Sequence, residues 1–286
     1  MIKVASTPPY FDYLIAGGGI VGLTLARELV ARKPTARIVV LEKETTVGAH
    51  ASGRNSGVVH AGIYYAPGSL KAKLCVEGAE LLVGYCKAHR LPLDHCGKLI
   101  VPYGADEEER LAGLMQRGRG NSVKLEWLDQ KAIRKLEPLC SSAKVAIHSP
   151  RTATIDPRSV LGALSDDLAT AGVTLQLGAE VRDVDEDGRR VRLADGGELS
   201  FGLFLNCAGS QADRLAHACG IARHLLLLPF RGSYMQVASD AGIQLSKHIY
   251  PVPNPGMPFL GVHFTRALGG KLYVGPSAMP ASTSVT

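Results

Sequence analysis

The chain has 286 residues, of which 46% are hydrophobic and 20% are charged, and this composition excludes a disordered or collagen-like protein. The net charge is +6, but basic residues are spread along the chain, so the charge favours anionic ligands in general and not a nucleic-acid surface. No apolar run reaches the roughly 18–20 residues of a membrane-spanning helix. The most apolar short segment, 225–230, predicts a short buried strand or core segment.

The cysteines and the N-terminal residues bear on the compartment. The six cysteines form no C-x-x-C pair and no zinc-like spacing, so we expect reduced thiols and no metal site. Residues 1–9 lack the apolar segment of a secretory signal and are too few for a transit peptide. We therefore expect a cytoplasmic protein.

A strand–turn–helix–strand unit begins the chain. Residues 10–16 (YFDYLIA) predict a strand that leads directly into the G-x-G-x-x-G motif at 17–22, after which apolar residues follow at helical spacing. Residues 36–41 (ARIVVL) predict a second strand, and Glu42 ends it. This order of elements is typical of a Rossmann-like site for a dinucleotide.

Each residue of this motif has a physical role. Gly17 permits a sharp turn, Gly19 lets a pyrophosphate approach the backbone, and Gly22 allows the helix to pack closely on the strand. The helix N-terminus then presents N–H groups to the phosphates. Glu42 is placed to accept hydrogen bonds from the hydroxyls of an adenosine ribose. The motif alone does not separate FAD from NAD.

The segment after Glu42 favours FAD. A simple NAD dehydrogenase continues with another short strand–helix unit, whereas residues 48–62 (GAHASGRNSGVVHAG) are mostly small and polar. Such a segment suits backbone that passes close beneath a flat ring, where large side chains would clash.

With residues 63–71 (IYYAPGSLK), these motifs resemble the FAD-dependent amino-acid-oxidase (DAO) superfamily, and within it the L-2-hydroxyglutarate oxidase/dehydrogenase branch. Further segments that carry the narrower resemblance are 203–213 (LFLNCAGSQAD), 229–234 (PFRGSY), 250–253 (YPVP) and 259–266 (FLGVHFTR). The resemblance covers about residues 10–280, and it is more specific than the glycine motif alone.

The resemblance implies an α/β fold in which a Rossmann-like FAD-binding domain is interleaved with an α+β substrate domain built on an antiparallel sheet. We expect the FAD-binding domain at 1–85 and 150–225, and the substrate domain at 90–150 and 225–286. Family members are longer than this chain. We therefore expect a C-terminally truncated protein whose FAD-binding domain lacks its final part and whose chain ends in a small polar tail, 282–286.

The activity implied by the resemblance is the FAD-dependent oxidation of L-2-hydroxyglutarate, a dicarboxylate 2-hydroxy acid, to 2-oxoglutarate. Hydride passes to the flavin, and the electrons then pass to oxygen or to a quinone-type acceptor. The lack of a long apolar run predicts no transmembrane segment and leaves peripheral membrane contact open. Two alternatives also stay open: an FAD-dependent amine or amino-acid oxidase of the glycine or sarcosine type, and an inactive truncated flavoprotein.

Oxidation of a 2-hydroxy acid needs a base for the hydroxyl proton and cations or donors for the carboxylates. The expected catalytic residues are His60, Arg231 and His263. The expected substrate-binding residues are Tyr64, Tyr234, Tyr250 and His248. The expected FAD-binding residues are Gly17, Gly19, Gly22, Glu42, Arg54, Ser56, Gly57, Ala208 and Gly209. The competing interpretation is structural: a packing histidine, a salt-bridged arginine or tyrosines of the core.

Overall fold

The computed structural model describes residues 7–185, 187–257 and 260–281. Two sequence features lie outside these residues: Phe259 of the 259–266 motif, and the tail 282–286.

The strands are numbered in chain order. They are β1 (Tyr10–Ala16), β2 (Ile38–Glu42), β3 (Val58–Val59), β4 (Leu93–Asp94), β5 (Lys98–Val101), β6 (Glu126–Asp129), β7 (Val145–Ser149), β8 (Ala153–Ile155), β9 (Thr174–Leu177), β10 (Val181–Asp185), β11 (Arg190–Leu193), β12 (Glu198–Asn206), β13 (Phe230–Arg231), β14 (Met235–Gln236), β15 (His248–Pro251), β16 (His263–Arg266), β17 (Leu272–Gly275) and β18 (Met279–Pro280).

The α-helices are α1 (Ile20–Arg32), α2 (Leu70–Ala88), α3 (Ala105–Gly120), α4 (Gln130–Leu136), α5 (Pro157–Thr170) and α6 (Ala212–Ala218). Short 3₁₀ turns lie at Pro138–Cys140, Gly209–Gln211, Ser239–Ala241 and Leu268–Gly270. Local chemistry explains several helix starts. Ser69 and Asp129 cap α2 and α4 by accepting hydrogen bonds from the backbone N–H groups of Ala72 and Ala132.

The chain divides into two compact units. Unit 1 takes its described residues from Met1–Asn55, Pro157–Pro229 and Ala281–Thr286, and unit 2 comprises Ser56–Asp156 and Phe230–Pro280. The predicted boundaries were residues 85, 90, 150 and 225. The main difference is the segment 56–85, which the prediction assigned to the FAD-binding domain and which is part of unit 2 in the structure.

Unit 1 is built on a six-stranded sheet in the order β10-β11-β12-β1-β2-β9. The four strands from β12 to β9 are parallel, and β10 and β11 join them as an antiparallel extension. All five residues of β2 are buried, as expected for a strand in the middle of a parallel sheet. The hydrophobic core of unit 1 includes Leu14, Val39, Val191 and Phe201.

Unit 2 is built on a seven-stranded sheet in the order β14-β17-β16-β15-β5-β7-β6. Its pairs are antiparallel except for β15 and β5, which run parallel. Helix α3 buries Leu111, Leu114 and Met115 in a core that also contains Ile100 and Tyr250. Two small antiparallel sheets, β3-β8-β4 and β13-β18, complete this unit.

The prediction of a buried strand at 225–230 is wrong. Leu226 and Leu228 are 70% and 71% exposed, and only Phe230 belongs to a strand. The backbone N–H of Leu227 donates to the carboxylate of Asp213 instead of to a neighbouring strand. Pro229 has no N–H to donate, so a run of apolar residues here does not become a sheet strand.

Within the described residues, no helix has both the length and the apolar character to cross a membrane.

Candidate active site

A cleft of about 320 Å³ lies in unit 1 at the carboxyl ends of its parallel strands. Gly17 follows β1, Glu42 ends β2 and Cys207 follows β12, and all three residues line the cleft. Ala208 and Gly209, which the sequence analysis predicted as FAD-binding residues, also line it. In open α/β sheets this edge is where ligands bind.

Close contacts leave no room for a side chain at the glycines of the motif. Gly17 has a φ of +116°, and a Cβ there would collide with the carbonyl oxygen of Cys207. A Cβ on Gly22 would collide with the carbonyl oxygen of Gly17, and a Cβ on Gly19 would lie 3.0 Å from Ser52 Oγ. The backbone is thus bare where a pyrophosphate must approach, and helix α1 begins directly beside it.

Glu42 is only 7% exposed, and its carboxylate is held by backbone donors. Its Oε2 accepts a hydrogen bond from the Gly18 N–H at 2.8 Å, and its Oε1 accepts one from the Glu44 N–H at 3.0 Å. Each carboxylate oxygen has further acceptor capacity. Glu42 is therefore fixed at the cleft with lone pairs left for ribose hydroxyls.

Several cleft residues were not predicted as site residues. Ser52 accepts a hydrogen bond from the Ile20 N–H at 2.9 Å, so it supports the start of α1. Lys43 and His50 both lie 2.8 Å from the carboxylate of Glu44 and lower its pKa. Basic side chains on the wall also include Arg182 and Arg214. The small-residue segment contained Ser52, but only the folded chain shows which of its residues turn towards the helix.

Unit 2 contains a fully buried lysine among aromatic rings. Lys98, on β5, is 0% exposed, and its Nζ donates a hydrogen bond to the hydroxyl of Tyr64 at 3.2 Å. The same Nζ lies 4.6 Å from the ring centre of Tyr64 and 4.8 Å from that of Tyr250. Burial lowers the pKa of Lys98 to about 7. Among the described residues, Lys98 forms no ion pair with a carboxylate.

Tyr250 is the centre of this cluster. Its side chain is 1% exposed, and burial raises the pKa of its hydroxyl. Its ring stacks on His263 with the centres 3.8 Å apart and lies edge-on to His60 and His248 at 6.3 and 6.4 Å. Strand β15 carries Tyr250 next to β5, because these two strands pair in parallel.

His263 has one nitrogen whose state follows from its partner. The Nδ1 atom lies 2.9 Å from the carbonyl oxygen of Gly261, and since a carbonyl only accepts, Nδ1 carries the proton. The Nε2 atom of the neutral ring is therefore an acceptor. Burial lowers the pKa of His263 below its ordinary value, which keeps the ring neutral.

His248 uses both of its ring nitrogens for structure. Its Nδ1 accepts a hydrogen bond from the Arg266 N–H at 3.1 Å, while its Nε2 lies 3.1 Å from Thr154 Oγ1 and 3.2 Å from Cys96 Sγ. Burial lowers the pKa of His248 to about 4. The guanidinium of Arg266 is itself paired with Asp94. These contacts fix the ring and leave no nitrogen for a ligand.

His60 differs from His248 because its Nδ1 is buried and has no hydrogen-bond partner among the described residues. Burial lowers the pKa of His60 to about 3, so the ring is neutral. Its backbone carbonyl accepts a hydrogen bond from the thiol of Cys75 at 3.4 Å. An unpartnered buried ring nitrogen beside a buried lysine indicates a place where a ligand completes the hydrogen bonding.

Comparison with protein families decides the chain's affiliation. The profile of the FAD dependent oxidoreductases (DAO) matches residues 12–286. The chain belongs to this family. The DAO chain also resembles curated relatives: it is 42% identical over 288 residues to the mitochondrial L-2-hydroxyglutarate dehydrogenase of Nematostella vectensis, covering 95% of this chain and 63% of the relative. It is 37% identical over 273 residues to L-2-hydroxyglutarate dehydrogenase of Escherichia coli K12, covering 95% and 64%.

The DAO chain therefore spans less than two thirds of the length of these relatives. Among solved structures, it is similar to the dithionite-reduced, FAD-bound L-alpha-glycerophosphate oxidase of Mycoplasma pneumoniae, with a TM-score of 0.82 and 25% identity over 97% of this chain and 75% of that one. This likeness confirms the predicted fold class.

FAD is the cofactor of the DAO family, and the residues of the unit 1 cleft fit it. The bare glycine backbone suits the pyrophosphate, and the carboxylate of Glu42 suits the ribose. Of the other residues predicted for FAD, Arg54 is exposed and does not line the described cleft. Ser56 and Gly57 are part of unit 2, where the carbonyl of Gly57 accepts a hydrogen bond from the Ile155 N–H at 2.9 Å.

The predicted catalytic residue Arg231 and the predicted substrate-binding residue Tyr234 are more exposed than the residues of the buried cluster of unit 2. Arg231 is exposed on the two-stranded sheet, opposite Met279. Tyr234 is 38% exposed; burial raises the pKa of its hydroxyl, and a hydrogen bond with Ser56 opposes that rise. The structure therefore brings together His60, Tyr64, His248, Tyr250 and His263, and it adds Lys98, which was not predicted.

Proposed function

We propose that this chain oxidises L-2-hydroxyglutarate to 2-oxoglutarate with FAD as the electron acceptor. The observation that supports this substrate class is the buried cluster of unit 2, in which Lys98 lies among hydrogen-bonding rings and forms no ion pair with a carboxylate of the described residues. A buried cation without a counter-ion favours an anionic ligand. The names of the two relatives narrow that anion to L-2-hydroxyglutarate.

The reaction removes a hydride from the substrate Cα and a proton from its hydroxyl group, and a C=O bond forms. FAD supplies the acceptor for the hydride when it is bound. On this chain, His263 Nε2 takes the hydroxyl proton, because Nδ1 keeps its own proton on the Gly261 carbonyl. The stacked ring of Tyr250 holds the imidazole in one orientation.

The other cluster residues bind and orient the substrate. Lys98 Nζ already donates a hydrogen bond to the Tyr64 hydroxyl. The remaining N–H groups of Lys98 and the O–H of Tyr64 therefore lie close together as donors for a substrate carboxylate. His60 Nδ1 is a buried ring nitrogen that has no partner among the described residues, and it suits a hydrogen bond with a polar group of the substrate. His248 does not touch the substrate in this proposal; it fixes the strands that carry the other groups.

Anaerobic mixing of the FAD-loaded chain with substrate tests the proposal. L-2-Hydroxyglutarate should bleach the visible flavin absorbance, whereas D-2-hydroxyglutarate, glycine and sarcosine should leave it unchanged. Bleaching by sarcosine or glycine but not by L-2-hydroxyglutarate would replace this function with amine oxidation. Flavin that none of these compounds reduces would contradict activity of the chain altogether.

The acceptor and the compartment complete the proposal. We propose that electrons pass to oxygen or to a quinone-type acceptor, which hydrogen peroxide formation under air distinguishes from reduction of an added quinone. The cysteines of the described chain are free thiols, which supports a reducing compartment such as the cytoplasm. Cell fractionation checks this, since the relative from Nematostella is named mitochondrial.

A further inference from the structure

Lys98 is the cation of unit 2 with the least access to water, since its side chain is 0% exposed. Its polar contacts are the Tyr64 hydroxyl and the faces of the Tyr64 and Tyr250 rings. These contacts favour a positive charge but do not neutralise it. An ammonium group taken out of water without an anion is costly, and proteins keep such groups mainly where a ligand supplies the anion.

A buried ring nitrogen without a hydrogen-bond partner lies in the same cluster. His60 Nδ1 has no hydrogen-bond partner among the described residues, and the His60 ring and Lys98 Nζ both lie beside the Tyr250 ring. Together these two groups match a carboxylate ligand: the ammonium binds the carboxylate oxygens, and the unpartnered ring nitrogen supplies a further hydrogen bond to the same ligand.

We propose that Lys98 is the residue that binds a carboxylate of the substrate, and that it does so only in its protonated state. This inference rests on the proposed function, because it names a binding residue for the same dicarboxylate. It assigns to Lys98 the binding of a substrate carboxylate, for which the guanidinium of Arg231 was the expected candidate from its residue type. Arg231 is exposed in unit 2.

The groups around Lys98 titrate in separate pH ranges. The titratable groups that face it are His60 and Tyr64 from the loop after β3, Cys75 from α2, His248 and Tyr250 from β15, and His263 from β16. Burial lowers the pKa of each histidine below 6.5 and raises the pKa of the tyrosines and of Cys75 above their ordinary values. Burial lowers the pKa of Lys98 to about 7, so Lys98 is the cluster residue whose titration is centred near pH 7.

Binding of a dicarboxylate should therefore depend on pH in a defined direction. Below about pH 7 the lysine is already charged and the dissociation constant should be constant. Above that pH the free protein loses the proton, and the dissociation constant should rise about tenfold per pH unit. The complex keeps the proton, so binding at pH 8 to 9 should take up close to one proton per ligand.

Glutarate, which has both carboxylates but no hydroxyl to oxidise, is the probe. Calorimetric titration of the FAD-loaded chain in two buffers of different ionisation enthalpy measures its dissociation constant and the proton uptake. Lys98→Met should raise the dissociation constant about 10- to 100-fold below pH 7, because one charge-assisted contact is lost. The same variant should also abolish the proton uptake. Lys98→Arg keeps the charge at every pH, so its binding should lose the pH dependence. Lys124→Met, at an exposed site in unit 2, is the matched control.

Proton uptake that persists in Lys98→Met, or wild-type affinity that is constant from pH 7 to 9, would overturn the inference. If Lys98→Met does not fold, the wild-type pH profile and Lys98→Arg decide the question. Glutarate binding with proton uptake but no flavin reduction by L-2-hydroxyglutarate would defeat the proposed function and leave the anion site standing. Flavin reduction by L-2-hydroxyglutarate, together with glutarate binding that is unchanged in Lys98→Met, would support the proposed function and contradict the anion site at Lys98.

Discussion

The cleft of unit 1 is made by backbone, whereas the cluster of unit 2 is made by side chains. In the cleft, Gly17, Gly19 and Gly22 leave the main chain bare, and backbone N–H groups hold the carboxylate of Glu42. In the cluster, Lys98 and the rings around it hold one another, and strands far apart in sequence carry them. The cleft therefore depends on the absence of Cβ atoms at its glycines, whereas the function proposed for the cluster depends on the chemical groups of its side chains.

The largest expected effect is in the cluster. His263→Gln removes the nitrogen proposed to accept the hydroxyl proton, so kcat with L-2-hydroxyglutarate should fall about 10²- to 10⁴-fold. His95→Gln, at an exposed site of unit 2, should change kcat little. Stopped-flow flavin reduction measures both variants. Similar rates for His263→Gln and the wild type would remove His263 from the chemistry.

The pH profile of the wild type sharpens the same test. Burial lowers the pKa of His263 below its ordinary value, so activity should be lost as the pH falls through that lowered value. The profile of kcat/KM should also decline above about pH 7, where free Lys98 loses its proton. An acid limb that stays in His263→Gln would show that another group is the base.

In the cleft, adding a single methyl group is the corresponding test. Gly22→Ala places a Cβ against the carbonyl oxygen of Gly17, so the dissociation constant for FAD should rise about 10- to 100-fold, equivalent to roughly 1–3 kcal/mol of overpacking. Gly162→Ala, inside α5 with open space around its Cβ position, should instead stabilise the fold by about 0.5–1 kcal/mol. Fluorescence titration with FAD and urea unfolding measure the two effects. Equal FAD affinity in both variants would contradict the role of the bare backbone.

A third variant separates structure from chemistry inside the cluster. His248→Phe leaves the Arg266 N–H and Thr154 Oγ1 without their ring partner, so the free energy of unfolding should fall by about 1–3 kcal/mol. Burial lowers the pKa of His248 from 6.5 to about 4. As the pH falls, the imidazole is therefore protonated in the unfolded chain at a higher pH than in the folded chain. The wild type should thus lose stability as the pH falls from about 6.5 to 4, and the variant should lose less.

Urea unfolding of the FAD-loaded chain at pH 7.5 and pH 5 checks this, with His95→Phe as the exposed control. The kcat of His248→Phe should change less than that of His263→Gln. A loss of kcat equal to that of His263→Gln, with unchanged stability, would show that His248 acts on the substrate.

The same contrast explains what the sequence predicted. The glycines and Glu42 lie within one local unit, where spacing alone determines which groups meet, and the structure places them in one cleft. Lys98 was not predicted, because KLIV has the composition of an ordinary buried strand. One of its contacts, Tyr64, lies 34 residues earlier in the chain. The other, Tyr250, lies on β15, which pairs in parallel with β5, whereas the sheet was predicted to be antiparallel. A lysine inside a buried apolar run was the available signal.

Arg231 gives the smallest expected effect and the sharpest test of which cation serves the substrate. A guanidinium matches a carboxylate well, and residue type alone favoured Arg231 as the anchor. In unit 2 it is exposed, and an exposed charge is screened by solvent. Arg231→Gln should therefore change the KM for L-2-hydroxyglutarate less than about twofold, against the 10- to 100-fold change in glutarate affinity expected for Lys98→Met. Steady-state kinetics at pH 7 measure the difference, and a KM that rises tenfold in Arg231→Gln would move the anchor from Lys98 to Arg231.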